Sequence, residues 1–211
     1  MMCTLPLADL VSAYQDSTTL HPLGLVSVMV LCLWLLISQR ESAMFPLMML
    51  VCLIPSAQRI VIAGADFTLL RIIVTVGMVR ILARGELAAI RFNRIDAVYF
   101  LYVGVAWIIY VLQRQEASAA VYACGVSMDM LGAYLLTRAL IQNISDLRKF
   151  ASSMATFAMI VSCFFAIEHF TGRNIFSIFG GVSEVTAVRE GRLRCQGAFS
   201  HPILAGVFWA A

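Results

Sequence analysis

The sequence predicts an all-α, polytopic transmembrane helical bundle, with about six full spans and the start of a seventh. Three observations carry this. The 211 residues are 61% hydrophobic, with a mean hydropathy of +0.89. Only 13% are charged, against about 25% in a soluble domain. Apolar runs also recur along the whole chain, separated by short polar turns, as expected of successive helices in lipid.

The first 20 residues form a lead with Asp9 and Asp16 and no basic residue. They lack the basic start of a cleavable signal peptide, so the first span is expected to stay as an anchor. His21-Pro22 opens that span, 23–38, because the missing N–H of Pro costs nothing at a helix start. The second run, 43–57, is short and holds Pro46 and Pro55, which predicts tilt, a kink or partial insertion. A small-residue connection at 58–66 leads to the third span, 67–82. The fourth, 96–112, is rich in Tyr and Trp (Tyr99, Tyr102, Trp107, Tyr110), which favour membrane interfaces. The fifth and sixth follow at 119–141 and 150–170. Residues 1–170 therefore read as a helical membrane region and 171–200 as an external loop. Residues 201–211 read as the opening of a seventh helix. That last run is far shorter than the about 20 residues a span needs, so the sequence is expected to be the N-terminal part of a longer polytopic protein.

Orientation comes from the basic residues. Arg40, Arg84, Arg91, Arg94, Arg148 and Lys149 fall in alternate loops, assigned to the cytoplasm, with Arg80 beside them. The lead and the 171–200 loop then lie outside; the opposite orientation follows if the short second run does not span. Arg173, Arg189, Arg192 and Arg194 in that loop run against the rule, so something other than topology should require them. The net charge of +3 is scattered between apolar runs and forms no basic face, which argues against nucleic acid as a partner. Membrane lipids are the expected surroundings. The six cysteines (3, 32, 52, 124, 163, 195) have no C-x-x-C or regular spacing, so neither a disulfide framework nor a zinc site is predicted. Whether Cys3 pairs with Cys195 is left open.

The strongest chemical signal is the run from Arg189 to Ala211, R-E-G-R-L-R-C-Q-G-A-F-S-H-P-I-L-A-G-V-F-W-A-A. Arg189, Arg192 and Arg194 could clamp a phosphate or diphosphate, since guanidinium forks match phosphate oxygens. Ser200 is a candidate N-cap for the next helix, whose positive end would face the same anion. Gly197 would let the backbone approach a ligand closely, and His201 could donate to phosphate. Contact with lipid phosphates would suit the same arginines equally well. Asp129 lies in the middle of the fifth span and needs a partner there. Arg71 and Arg138 are the candidates, and a structural ion pair is favoured over a substrate role. Glu168-His169 reads as a cap at the end of the sixth span. No Walker motif, dinucleotide fingerprint, G-x-S-x-G or DxD run is present, so no metal or cofactor is expected.

The segment R-L-R-C-Q-G-A-F-S-H-P-I-L-A-G resembles the R-x-x-G-x-F-x-H-P-x-x-x-G run that opens the core domain of the O-antigen ligase and polymerase family, here from about residue 189 onward. D-F-T-L-L-R-I, R-G-E, L-G-A-Y-L-L-T-R-A-L and D-L-R-K are similar more loosely. Ile203 departs from the Asn that many members carry. The resemblance implies a bacterial inner-membrane enzyme that transfers a glycan from undecaprenyl diphosphate at the periplasmic face. The acceptor would be lipid A core or another glycan. It also implies that Arg194 or Arg192 binds the diphosphate, and that the catalytic base lies in a later periplasmic loop. The other readings weighed are a transporter or flippase for an anionic lipid-linked substrate, with Asp129 and Arg71 on its path, and a non-catalytic membrane subunit.

Overall fold

A computed structural model describes residues 18, 20–62 and 65–210. Seven α-helices carry most of the described chain. They are α1 (Pro22–Ile37), α2 (Met44–Leu53), α3 (Leu69–Ala83), α4 (Arg94–Arg114), α5 (Ala117–Leu140), α6 (Ile144–Thr171) and α7 (Pro202–Ala210). Three of them, α4, α5 and α6, are long and apolar enough to cross a membrane. The first three runs are shorter than full spans. α1, α2 and α3 have 16, 10 and 15 residues; at 1.5 Å per residue, α3 reaches only about 22 Å.

The reason α3 is short is local. Residues 58–66 were expected to be an irregular connection. Instead β1 (Arg59–Ile62) and β2 (Ala65–Thr68) pair antiparallel, Arg59 opposite Thr68, and absorb the start of the predicted third span. Thr68 then caps α3 by accepting from the Arg71 amide at 3.2 Å. A second, smaller pair, β3 (Val188–Arg189) and β4 (Arg192–Leu193), lies in the long loop. The purely helical expectation therefore needs these two hairpins added.

Caps fix the other helix boundaries. Asn93 Oδ1 accepts from the Ile95 and Asp96 amides, and Asp96 Oδ2 accepts from the Asn93 amide at 2.6 Å, closing a capping box at the start of α4. Asn143 caps α6 by accepting from the Asp146 amide at 2.8 Å. The Asp-Leu-Arg-Lys turn is thus the first part of α6 rather than a linker. α6 ends at Gly172, in the left-handed region at φ +67.

The core lies where α1, α2, α3 and α5 meet, around Val28, Leu35, Leu50, Ile73, Val74, Ile81 and Leu136. α3 and α5 approach closely because glycines face the partner helix. A Cβ at Gly132 would sit 2.4 Å from Val74 Cγ1, and one at Gly77 2.8 Å from Leu136 Cδ2. α4 packs on α5 and leaves Val98, Leu101, Val105, Ile108 and Leu112 exposed. Apolar side chains facing outward in this way suit a lipid environment.

Several basic residues gather at one end. Arg84 donates to the Leu36 and Ser38 carbonyls at 2.5 and 2.7 Å, and Arg80 to Ser38 O at 3.2 Å, which satisfies the last turn of α1. Arg40 donates to Leu140 O and pairs with Asp146 at 2.7 Å. Arg138 donates to Arg91 O and pairs with Asp96 at 3.2 Å. These contacts join the ends of α1, α3 and α5 to the starts of α4 and α6. The opposite end holds His21, the β1–β2 hairpin and the 172–201 loop, tied by His21 N–H donating to Gln58 Oε1 at 3.0 Å and Ser56 N–H to Ala198 O at 3.4 Å.

Gly132→Leu should overpack the α3–α5 seam and cost about 1–3 kcal/mol. Gly104→Leu adds its side chain in open space on α4 and should be neutral. Thermal unfolding of the two variants in detergent checks this; equal melting temperatures would contradict the packing.

Candidate anion-binding site

The loop after α6 is a folded cap, and one carboxylate holds it. Glu168, in the last turn of α6, is 1% exposed. Its Oε1 accepts from Thr186 Oγ1 at 3.0 Å and from the Gln196 amide at 3.1 Å, and its Oε2 accepts from the Gly197 amide at 2.8 Å. A buried carboxylate is tolerated only when hydrogen-bonded in this way. Buried Asn174 adds a second tie: its Nδ2 donates to Gly197 O at 2.8 Å, and its Oδ1 accepts from the Phe176 amide. Backbone bonds from Asn174 N to Glu184 O and from Thr186 N to Gly172 O close the strand of the loop back onto the helix end.

Gly197 therefore serves the fold. It sits at φ +57, and a Cβ there would fall 2.5 Å from the Phe165 ring. Its amide points to Glu168 and is not free for a ligand. Cys195, two residues before it, is a free thiol. Burial, and then the nearby Glu168 charge, push its pKa up, so it stays protonated. Cys3, the other half of the suggested disulfide, lies outside the described residues.

The arginines stand on the β3–β4 hairpin. Glu190 and Gly191 form its two-residue turn, both at positive φ (54 and 74), the geometry of a type I′ turn. The register sets Arg189 directly opposite Arg192. Arg194 continues the strand, its amide donating to Ala187 O at 2.8 Å. Side chains two apart on a strand share a face, so Arg189, Arg192 and Arg194 line one side. Like charges directly opposed on a hairpin are destabilising. Among the described residues, Arg189 has only an exposed contact to Glu190 at 3.6 Å, and exposed pairs contribute little. Arg192 and Arg194 have no ion-pair partner among the described residues.

His201, and not Ser200, occupies the N-cap of α7. Pro202 confines the residue before it to extended backbone. The His201 carbonyl accepts from the Leu204 and Ala205 amides, while its Nδ1 accepts from Ile203 N–H at 3.2 Å. The same His-Pro device starts α1, with His21 Nδ1 accepting from Leu23 N–H at 3.3 Å. His201 is exposed and makes no side-chain contact with the three arginines among the described residues.

Arg71 and Asp129 come together as a two-pronged ion pair, Nε to Oδ1 at 3.1 Å and Nη2 to Oδ2 at 2.7 Å. Arg71 Nη1 also donates to Asp66 O in the β1–β2 hairpin. The guanidinium lies against Gly125, where a Cβ would be 2.6 Å from Cζ. Both carboxylate oxygens are engaged, which fits the structural reading of the pair. Arg138, the other suggested partner of Asp129, pairs with Asp96 instead, one end of the bundle away. Among the described residues, no three His, Cys, Asp or Glu side chains converge as metal ligands.

No known family, curated protein or solved structure matches this chain.

Sequence reasoning took Glu168 for a simple helix cap. A lone carboxylate inside the apolar run before Gly172 was the available signal, because such a charge needs donors from elsewhere. Glu168→Ala should leave the Thr186 hydroxyl and two backbone amides unpaired, at about 1–3 kcal/mol per group. Hydrogen exchange at the Gln196 and Gly197 amides should then quicken markedly, with Glu168→Gln intermediate. Unchanged exchange in Glu168→Ala would remove its anchoring role.

Proposed function

We propose that this chain is part of a bacterial inner-membrane glycan ligase or polymerase that draws its donor from undecaprenyl diphosphate. The observation that carries the proposal is the face of three arginines on the β3–β4 hairpin, at the end of the bundle opposite the main basic cluster. A lipid-linked diphosphate offers the anionic oxygens that would relieve their mutual repulsion. The likeness of residues 192–206 to the ligase and polymerase segment supports the same reading. So does the positive-inside rule, which with six spans sets the 189–200 loop in the periplasm. In that reading α1, α2 and α3 all count as crossing elements beside α4, α5 and α6.

The reaction would break the bond between the donor sugar and the diphosphate and form one to an acceptor hydroxyl, on lipid A core or on another glycan. The acceptor proton passes to a base outside the described residues. The arginines would stabilise the charge that develops on the departing diphosphate. No cofactor is needed for this displacement.

Arg192→Ala or Arg194→Ala in the full-length protein should lower glycan transfer in membrane vesicles by about 10²–10³-fold while leaving membrane insertion intact. Undiminished transfer by both variants would overturn the reading.

A further inference from the structure

At the basic end, a cleft of about 560 Å³ opens between α1, α2, the end of α5 and the start of α6. Its interior is apolar and aromatic, with Trp34, Phe45, Leu140 and Phe150 among its lining. Trp34 and Phe45 pack at 5.4 Å between centroids. Three charged residues line it: Glu41, Asp146 and Lys149. Asp146 is buried and already neutralised by Arg40 at 2.7 Å. Glu41 and Lys149 remain, paired with each other and about half exposed, so they form the rim.

We infer that this cleft binds a phospholipid with an amine-bearing zwitterionic headgroup, such as phosphatidylethanolamine. One rim cation and one rim anion, parted from each other, match one phosphate and one ammonium. An exposed ion pair contributes little, so exchanging it for the two headgroup charges costs little. An anionic headgroup would leave Glu41 facing a like charge, and a choline headgroup has no N–H to donate to it. The cleft has the size of an ordinary small-ligand site. Its place suits a lipid: it lies where the helices end, and its flanking helices expose apolar side chains further along, Val30 and Leu33 on α1 and Met159 and Ile160 on α6.

Native mass spectrometry of the full-length protein in mild detergent tests it, with dioleoyl phosphatidylethanolamine, phosphatidylcholine and phosphatidylglycerol supplied in equal amounts. The wild type should retain the ethanolamine lipid over the other two by about tenfold, the effect of one charged hydrogen bond. Glu41→Gln should lose the preference over phosphatidylcholine, and Lys149→Ala should lose retention of all three. Both side chains lie at the rim, so an unchanged melting temperature without added lipid confirms that the variants are folded. Equal retention of the ethanolamine and choline lipids by the wild type, a preference for phosphatidylglycerol, or an unaltered preference in Glu41→Gln would each overturn it.

Discussion

The hydrogen bonds to the Glu168 carboxylate set the geometry of everything beyond α6. A charge buried at a helix end must collect donors or be neutralised, and this one collects three from residues 18 to 29 positions away. Those bonds fix Thr186 and the Gln196-Gly197 backbone to α6. The chain between them, held at both ends, turns back on itself as the β3–β4 hairpin. The arginine face is therefore a consequence of a carboxylate that is not itself exposed to any ligand. Gly197 completes the arrangement, since only a residue without a side chain fits against Phe165 with its amide turned to Glu168.

The same constraint organises the rest of the bundle. Arg71 with Asp129, Arg138 with Asp96, Arg40 with Asp146 and Arg80 with Glu86 each join different segments. Away from water a charge left alone is costly, so each ion pair ties together the segments that carry it. Arginines also donate to the final carbonyls of α1 and α5, groups that a helix end leaves unpaired. The short α1 and α3 are thereby tied to the longer helices at the basic end. The glycines of the α3–α5 seam let those helices approach closely enough for Arg71 to reach Asp129.

Much of this was legible in the sequence because it depends on local pattern. Apolar runs located the helices, and an Asp129 in the middle of one such run demanded a partner that Arg71 supplies. The basic loops that hold Arg40 and Arg84 could be grouped from the sequence, and both residues lie at one end of the bundle. The rest depends on distant or very short features. Strands β3 and β4 have two residues each, too few for a period-2 signal, so the pairing of Arg189 with Arg192 left no trace in the sequence. Glu168 finds its donors far along the chain, and the β1–β2 hairpin replaces what reads as a connection and the start of a span. Ser200 is a good cap by residue type, but Pro202 moves the helix start by one residue and gives the role to His201.

The central claim is that the arginines form a site because Glu168 positions them, and that charge alone does not make it. Calorimetric titration of the full-length protein in detergent with inorganic pyrophosphate, wild type against Glu168→Ala, tests this most directly. The account predicts saturable binding by the wild type and an affinity lower by about tenfold, or about 1.4 kcal/mol, in Glu168→Ala, although that variant keeps every arginine. Equal affinity in the two proteins would contradict it.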